Sequence, residues 1–157
     1  MVEIKEYEEK YINQISNLIV QNLLEINSKD YGIDTVMEMA KDFTVSKLSK
    51  TLKTRKKVVI AVDNAKVLGT AGLDKSWYSD DEYWILAVFV KPEFHGKGIG
   101  KQLIHSLENF ASTLSIKKIV IPASITAHEF YYKLRYKYKD GKKELNDENM
   151  YIMEKLI

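Results

Sequence analysis

The 157-residue chain has no cysteine, which excludes disulfides, thiolate metal sites and a cysteine nucleophile. It has no run approaching the roughly 20 apolar residues that a membrane-spanning helix needs. Its first ten residues, "MVEIKEYEEK", lack the basic-then-apolar order of a secretory signal. Neither sign of charge prevails: 24 basic and 22 acidic side chains leave a net charge of +2, too even a balance to mark a nucleic-acid binder. Basic clusters at 53–57 ("KTRKK") and 133–143 read as solvated charge at element ends, with attraction of an anionic ligand as the other reading. No repeat, low-complexity segment or linker interrupts the sequence. The expectation is one domain over residues 1–157, with a sizeable core. It is expected to be cytoplasmic, off the membrane and free of metal and nucleic acid.

Hydrophobic periodicity predicts the elements. Residues 2–6 alternate as a short strand. Ile12, Ile15, Ile19, Leu23 and Ile26 recur at helical spacing, predicting a helix over 8–26. "NSKDYGID" reads as a loop. Asp34 is placed to cap a second helix through Val36, Met37, Ala40 and Phe43, and Thr44 a third through Leu48 and Leu52. "KKVVIAV" and "KVLGTAGL" read as strands joined by a hairpin turn at 63–65, and "EYWILAVFV" as a long strand. After a glycine-rich loop, Ile99, Leu103, Leu107, Phe110 and Leu114 share one helical stripe. "KKIVIPA" is the next buried strand, "ITAHEFYYKL" a short helix, and strands near 136–139 and 150–156 finish the chain. The run from Glu82 to Pro122 has the length of a βαβ crossover, so its two strands are expected to be parallel. The fold class that follows is α/β, an α+β mixed sheet of about seven strands. Most strands are antiparallel around a central parallel βαβ pair, with helices on both faces.

The least ordinary stretch is "KPEFHGKGIGKQLI", residues 91–104, with glycines at 96, 98 and 100. Each glycine raises the entropy cost of folding, so the junction needs bare backbone. A glycine loop feeding a helix is a prepared anion site, because the free N–H groups of the first turn and the helix dipole both favour negative charge. It is not a Walker loop: reading back from Gly100 and Lys101, His95 occupies the first glycine position and Gln102 the Ser/Thr position. It is not a dinucleotide fingerprint either, since the spacing is G-x-G-x-G and no acid follows in "KKIVIPA". A purely structural turn is the other reading.

"VFVKPEFHGKGIGKQL" resembles the acetyl-CoA loop of the GNAT acetyltransferase superfamily, whose core is Q/R-x-x-G-x-G/A, here His95 to Gly100. Val88, Val90 and Pro92 match the V-x-V-x-P pattern that precedes it. "ASITAHEFYYKLRYKY" resembles the second signature, N-x-x-A-x-x-F-Y-x-K-L-G-F, through Ala127, Phe130, Tyr131, Lys133 and Leu134. The element order agrees over essentially the whole chain. Three positions depart from the pattern: His95 replaces Arg or Gln, Ser124 replaces Asn, and Arg135 replaces the helix-ending Gly. Either that last cap is built differently or a non-glycine residue accepts positive φ.

The resemblance implies acetyl-CoA between the two parallel strands. Its pyrophosphate would lie on the N–H groups of Gly96, Lys97, Gly98, Ile99, Gly100 and Lys101, with His95 and Ser124 beside it. Its pantetheine arm would run along Val88, Phe89 and Val90. The implied reaction is direct acetyl transfer to a primary amine of a small molecule or peptide, and acyl groups longer than acetyl stay open. Tyr131 would protonate the departing sulfur, and an N–H around Phe89 would stabilise the oxyanion. Tyr131 also falls on a helical stripe with Ala127, Phe130 and Leu134, which reads as core. The base is either Glu82 or a water chain to solvent. Acceptor choice is expected in "EINSKDYGID", with Asn27 and Tyr31 as candidates, and in the loop before Glu82. The competing class is a catalytically silent acyl-CoA-binding sensor or scaffold. The assembly is expected to be a monomer or homodimer.

Overall fold

Asn64 and Ala65 both take positive φ, +50° and +63°, the backbone of a two-residue hairpin turn that matches strand twist. The turn joins β2 (Lys57–Asp63) to β3 (Lys66–Lys75), closing with Asp63 opposite Lys66. The computed structural model describes residues 1–157 and builds outward from this hairpin. On one side β1 (Glu3–Glu6) pairs antiparallel with β2; on the other, β4 (Glu82–Val90) pairs antiparallel with β3. β4 then pairs parallel with β5 (Lys118–Ala123), the crossover being α5 (Ile99–Ala111). β7 (Tyr151–Leu156) lies antiparallel between β5 and β6 (Lys137–Tyr138). The order is β1-β2-β3-β4-β5-β7-β6, the mixed sheet with one parallel pair that the sequence predicts.

β2 shows why the sheet carries helices on both faces. Val58, Ile60 and Val62 pack with Ile15, Leu18 and Ile19 of α1 (Ile12–Asn22) and Leu48 of α4 (Val45–Thr54). The alternate residues, Val59 and Ala61, pack with Leu103, Ile104 and Leu107 of α5. Each fully buried aliphatic side chain of this kind contributes about 1.5–3 kcal/mol. No helix is long and apolar enough to cross a membrane.

Two expectations are corrected. "NSKDYGID" is not a loop: α1 runs on through a π-helical stretch (Leu23–Asn27) into α2 (Ser28–Tyr31), and Gly32, at φ +82°, ends the run. Long-range bonds hold these weak helix formers. The Asp30 carboxylate accepts from the Thr126 N–H (3.2 Å) and hydroxyl (2.6 Å), and the Tyr31 hydroxyl donates to the Asn149 carbonyl (3.1 Å). Asp34 does not cap α3 (Ile33–Ala40); Gly32 takes the N-cap position and Asp34 lies in the first turn. Thr44 does cap α4, its hydroxyl accepting from the Lys47 N–H.

α6 (His128–Lys133) ends without glycine. Arg135 adopts φ +75°, and the Tyr136 N–H returns to the Tyr131 carbonyl (3.1 Å), so the usual closure is kept on a non-glycine residue. Arg135 is exposed and its side chain makes no recorded bond. Arg135→Gly therefore should raise stability by about 0.5–1 kcal/mol, read as a thermal midpoint about 1–4 °C higher by circular dichroism.

Candidate functional site

The site begins with one extra residue in β4. Phe89 stands opposite Thr70 and Leu86 opposite Gly72, so Ala87 and Val88 share the single partner Ala71. Ala87 takes φ +53°, and the strand bulges there. The parallel pairing of β4 with β5 runs only from Glu82 opposite Lys118 to Trp84 opposite Val120. Beyond it the two strands have no shared ladder, and one edge of β4 is open.

Backbone direction along that edge follows from two bonds. The Lys91 N–H donates to the Leu68 carbonyl of β3 (2.8 Å), so by two-residue alternation Phe89 also faces β3. Val88 and Val90 face the open side. The Val90 carbonyl is already occupied, accepting from Asn22 Nδ2 (2.9 Å) and His95 Nε2 (2.7 Å). The polar groups of Val88 and the Val90 N–H are those left to the cleft. Phe89 itself is turned toward β3, and its ring packs edge-on against Phe43 at 5.9 Å.

A cavity of about 590 Å³ fills the gap, bounded by β4 from Ile85 to Val90, the glycine loop, Ser124, Phe130 and Tyr131. Asn27, Tyr31, Met39, Phe43 and Arg55 also line it. At the loop end, Gly96 and Gly98 take φ +77° and +82°, and a Cβ on either would point into open space. Gln102 donates its N–H to the Gly98 carbonyl (3.1 Å), while the N–H groups of residues 96–101 bond to nothing in the chain. They form a concave donor surface at the positive end of α5, suited to a phosphate group. Gly100 serves a different need: a Cβ there would lie 3.0 Å from Phe130 Cζ. Its lack of a side chain lets α6 pack closely and clears no room for an anion.

The expected side chains divide. Lys101, Ser124, Tyr131, Asn27 and Tyr31 all reach the cavity wall. Ser124 Oγ also accepts from the Ala127 N–H (3.2 Å), ordering the turn before α6. His95 borders the cavity with its Nε2–H committed to Val90. The Lys97 side chain lies over the Phe94 ring at 5.0 Å, off the cavity wall.

Tyr131 is only 5% exposed. Neighbouring tyrosine hydroxyls are held by Asn149, Glu108 and His128, but that of Tyr131 meets no partner in the chain. Burial pushes its pKa well above the ordinary tyrosine value. Burial raises that of Tyr31 as well, so both stay protonated donors. Tyr132 is exposed and stacks on Tyr138 outside the cavity.

Glu82 does not reach the site. It lies in the paired part of β4, accepting from Ser76 Oγ (2.7 Å) and ion-paired with Lys118 at 3.6 Å. Ladder pairing holds it on the far side of Ile85, the first β4 residue to line the cavity, and its charge is already matched. No carboxylate lines the cavity at all.

Two wall residues were missed from sequence. Arg55 is hidden within "KTRKK", where nothing separates it from solvated neighbours. Asn22 did leave a signal, a polar residue in the apolar stripe of Ile15, Leu18, Ile19 and Leu23. It is buried and donates Nδ2 to both the Leu18 and Val90 carbonyls.

The sequence model of the Acetyltransferase (GNAT) family matches residues 20–136. The structure is similar to the PaiA N-acetyltransferase of Thermoplasma acidophilum, solved in complex with coenzyme A. That likeness has TM-score 0.85 and 18% identity over 100% of this chain and 99% of that one. It is similar to a GNAT family acetyltransferase of Brucella melitensis in complex with acetyl-CoA, with TM-score 0.73 and 14% identity over 100% and 88% of the two chains. It is also similar to an acetyltransferase of Streptococcus agalactiae, with TM-score 0.72 and 23% identity over 99% and 98%. No curated protein sequence matches the chain.

Asn22→Ala removes both buried donations and leaves part of the Val90 carbonyl's bonding unmet. The expected loss is about 1–3 kcal/mol, measured as a lower urea midpoint at unchanged m-value.

Proposed function

The chain belongs to the GNAT acetyltransferase family, and on that premise we propose that it moves an acetyl group from acetyl-CoA directly to a primary amine of a small molecule or peptide. The observation that carries this reading is the unpartnered N–H cradle at 96–101, continuous through the cavity with the open edge of β4 and with Tyr131. The cradle fits a pyrophosphate because Gly96 and Gly98 present no Cβ to it. Acetyl-CoA, when bound, supplies an acyl group on a thioester, a leaving group good enough for attack by a neutral amine.

Each remaining role falls to the chain. The N–H groups of 96–101 bind and orient the phosphates. Val88 offers main-chain bonds along the open edge, and its N–H is the donor for negative charge developing on the acyl oxygen, in keeping with the expectation of an N–H around Phe89. Such preorganised donors are often the largest single catalytic contribution. Tyr131, held protonated by burial, gives its proton to the departing sulfur. Asn27 and Tyr31 orient the acceptor from the cavity wall. With no carboxylate on the wall and Glu82 paired elsewhere, the amine's proton passes to water, which keeps the water-chain reading of the base. A silent binding module would need the cradle but no proton donor, and the unpartnered Tyr131 hydroxyl favours the enzyme.

Calorimetric titration of acetyl-CoA tests the reading. The wild-type protein should bind, and Gly98→Trp, still folded by circular dichroism, should not; no binding by wild type would reject the proposal. Tyr131→Phe should lower kcat by about 10²- to 10⁴-fold with acetyl-CoA affinity unchanged within about twofold. In the wild type, kcat/KM should rise about tenfold per pH unit up to the pKa of the free amine, with no falling limb below about pH 10. A plateau near neutrality would instead mean an enzyme base.

A further inference from the structure

The end of the cavity away from the phosphate cradle carries no acid and one cationic side chain, which is ion-paired with Asp74 behind the wall. Arg55 is the only charged side chain on that wall, Lys101 standing at the phosphate end. Acids do exist near the entrance, but each is employed. Glu25 and Glu93 take the Gln21 amide, and Asp30 is bonded to Thr126. The cavity that Arg55 lines is also walled by the apolar Leu23, Ile26, Met39 and Phe43, together with Asn27 and Tyr31.

Arg55 is held on the cavity wall beside β3. It ends α4, and its side chain is only 19% exposed. Its Cδ lies 3.9 Å from where a Cβ on Gly72 would stand, so its stem crosses β3 at the partner of Leu86, next to the Ala87 bulge. One N–H meets Asp74 Oδ2 at 3.2 Å, and Asp74 is not on the cavity wall. A guanidinium has five donors, which leaves a fork able to take a carboxylate in two parallel bonds.

Resting on the acetyltransferase reading, we infer that the acceptor is an amine on an apolar body that also carries a carboxylate, the class of apolar α-amino acids, with Arg55 holding the carboxylate. Asp74 balances the Arg55 charge, so the preference comes from the guanidinium donors that Asp74 leaves unused, which an amine without a carboxylate does not meet. A carboxylate next to the amine matches the guanidinium, while Leu23, Ile26, Met39 and Phe43 cover the apolar side chain. In the transfer the amine nitrogen forms a bond to the acetyl carbon and the carbon–sulfur bond breaks. Sulfur leaves with the electron pair and takes the Tyr131 proton, the amine's own proton goes to water, and water returns one to Tyr131.

The test is thiol release from acetyl-CoA with L-leucine, L-methionine and L-phenylalanine. Each is set against its decarboxylated amine, and all against spermidine. The wild type should favour each amino acid over its paired amine, and over spermidine, by about tenfold or more in kcat/KM. Arg55→Gln should bring the ratio within each pair to about 1, through KM. Arg55→Lys keeps the charge and the Asp74 partner but not the fork, and should recover only part of the ratio. If spermidine or the decarboxylated amines match the amino acids in the wild type, the inference is overturned without recourse to any variant. It is likewise overturned if Arg55→Gln slows both members of a pair equally, or if acetyl-CoA binds and no amino acid reacts. Failure of acetyl-CoA to bind in calorimetry is the distinct result that removes the acetyltransferase reading itself.

Discussion

One inserted residue governs the molecule. Ala87 is held at φ +53°, a backbone position that costs a non-glycine residue about 1–3 kcal/mol and persists only where its surroundings enforce it. The pairing with β3 on both sides of the bulge enforces it here. Its effect is to end the parallel ladder after Trp84 and Val120, so that β4 and β5, neighbours at one end, enclose a cavity at the other. The bulge also resets the alternation of β4, which turns Val88 toward the cleft and Phe89 toward β3. Without that step the strand edge would be used up in sheet pairing and α5 would point its amino terminus at a closed surface.

The cavity's charge follows from how the rest of the chain uses its acids. Twenty-two carboxylates are present, but those near the site cap turns, join helices or pair with lysines. The cavity keeps protonated phenols, backbone donors and cations. It is built to receive negative charge, whether on phosphate, on an acyl oxygen or on the acceptor. Proton removal is left to solvent.

Much of this was legible in the sequence, for identifiable reasons. The glycine loop reads correctly because positive φ at Gly96 and Gly98 has a residue type that announces it, and the Thr44 cap and the hairpin turn at 64–65 depend on neighbours only. What failed to show depended on distant partners. Residues 28–31 are helical because Asp30 and Tyr31 bond to Thr126 and Asn149, nearly a hundred or more positions away. Glu82 looked available because its partner Lys118 is brought beside it only by the parallel register. Gly100 resembled its two neighbours in the loop, yet its reason is Phe130. The bulge left no mark, since alanine gives no sign of left-handed backbone. Arg55 gave none either, lying among four residues of similar charge and polarity.

The bonds from α2 to the far side of the cleft tie its two walls into one mechanical unit. Asp30 grips Thr126, which sits between Ser124 and Ala127 on the phosphate-side wall, while Tyr31 on the acceptor-side wall reaches Asn149. On the proposed reaction, a ligand that orders one wall would order the other through these bonds, and the second would meet a surface whose ordering entropy has already been lost. Each substrate would then favour the other's binding equally, with the four-residue helix α2 as the link between them.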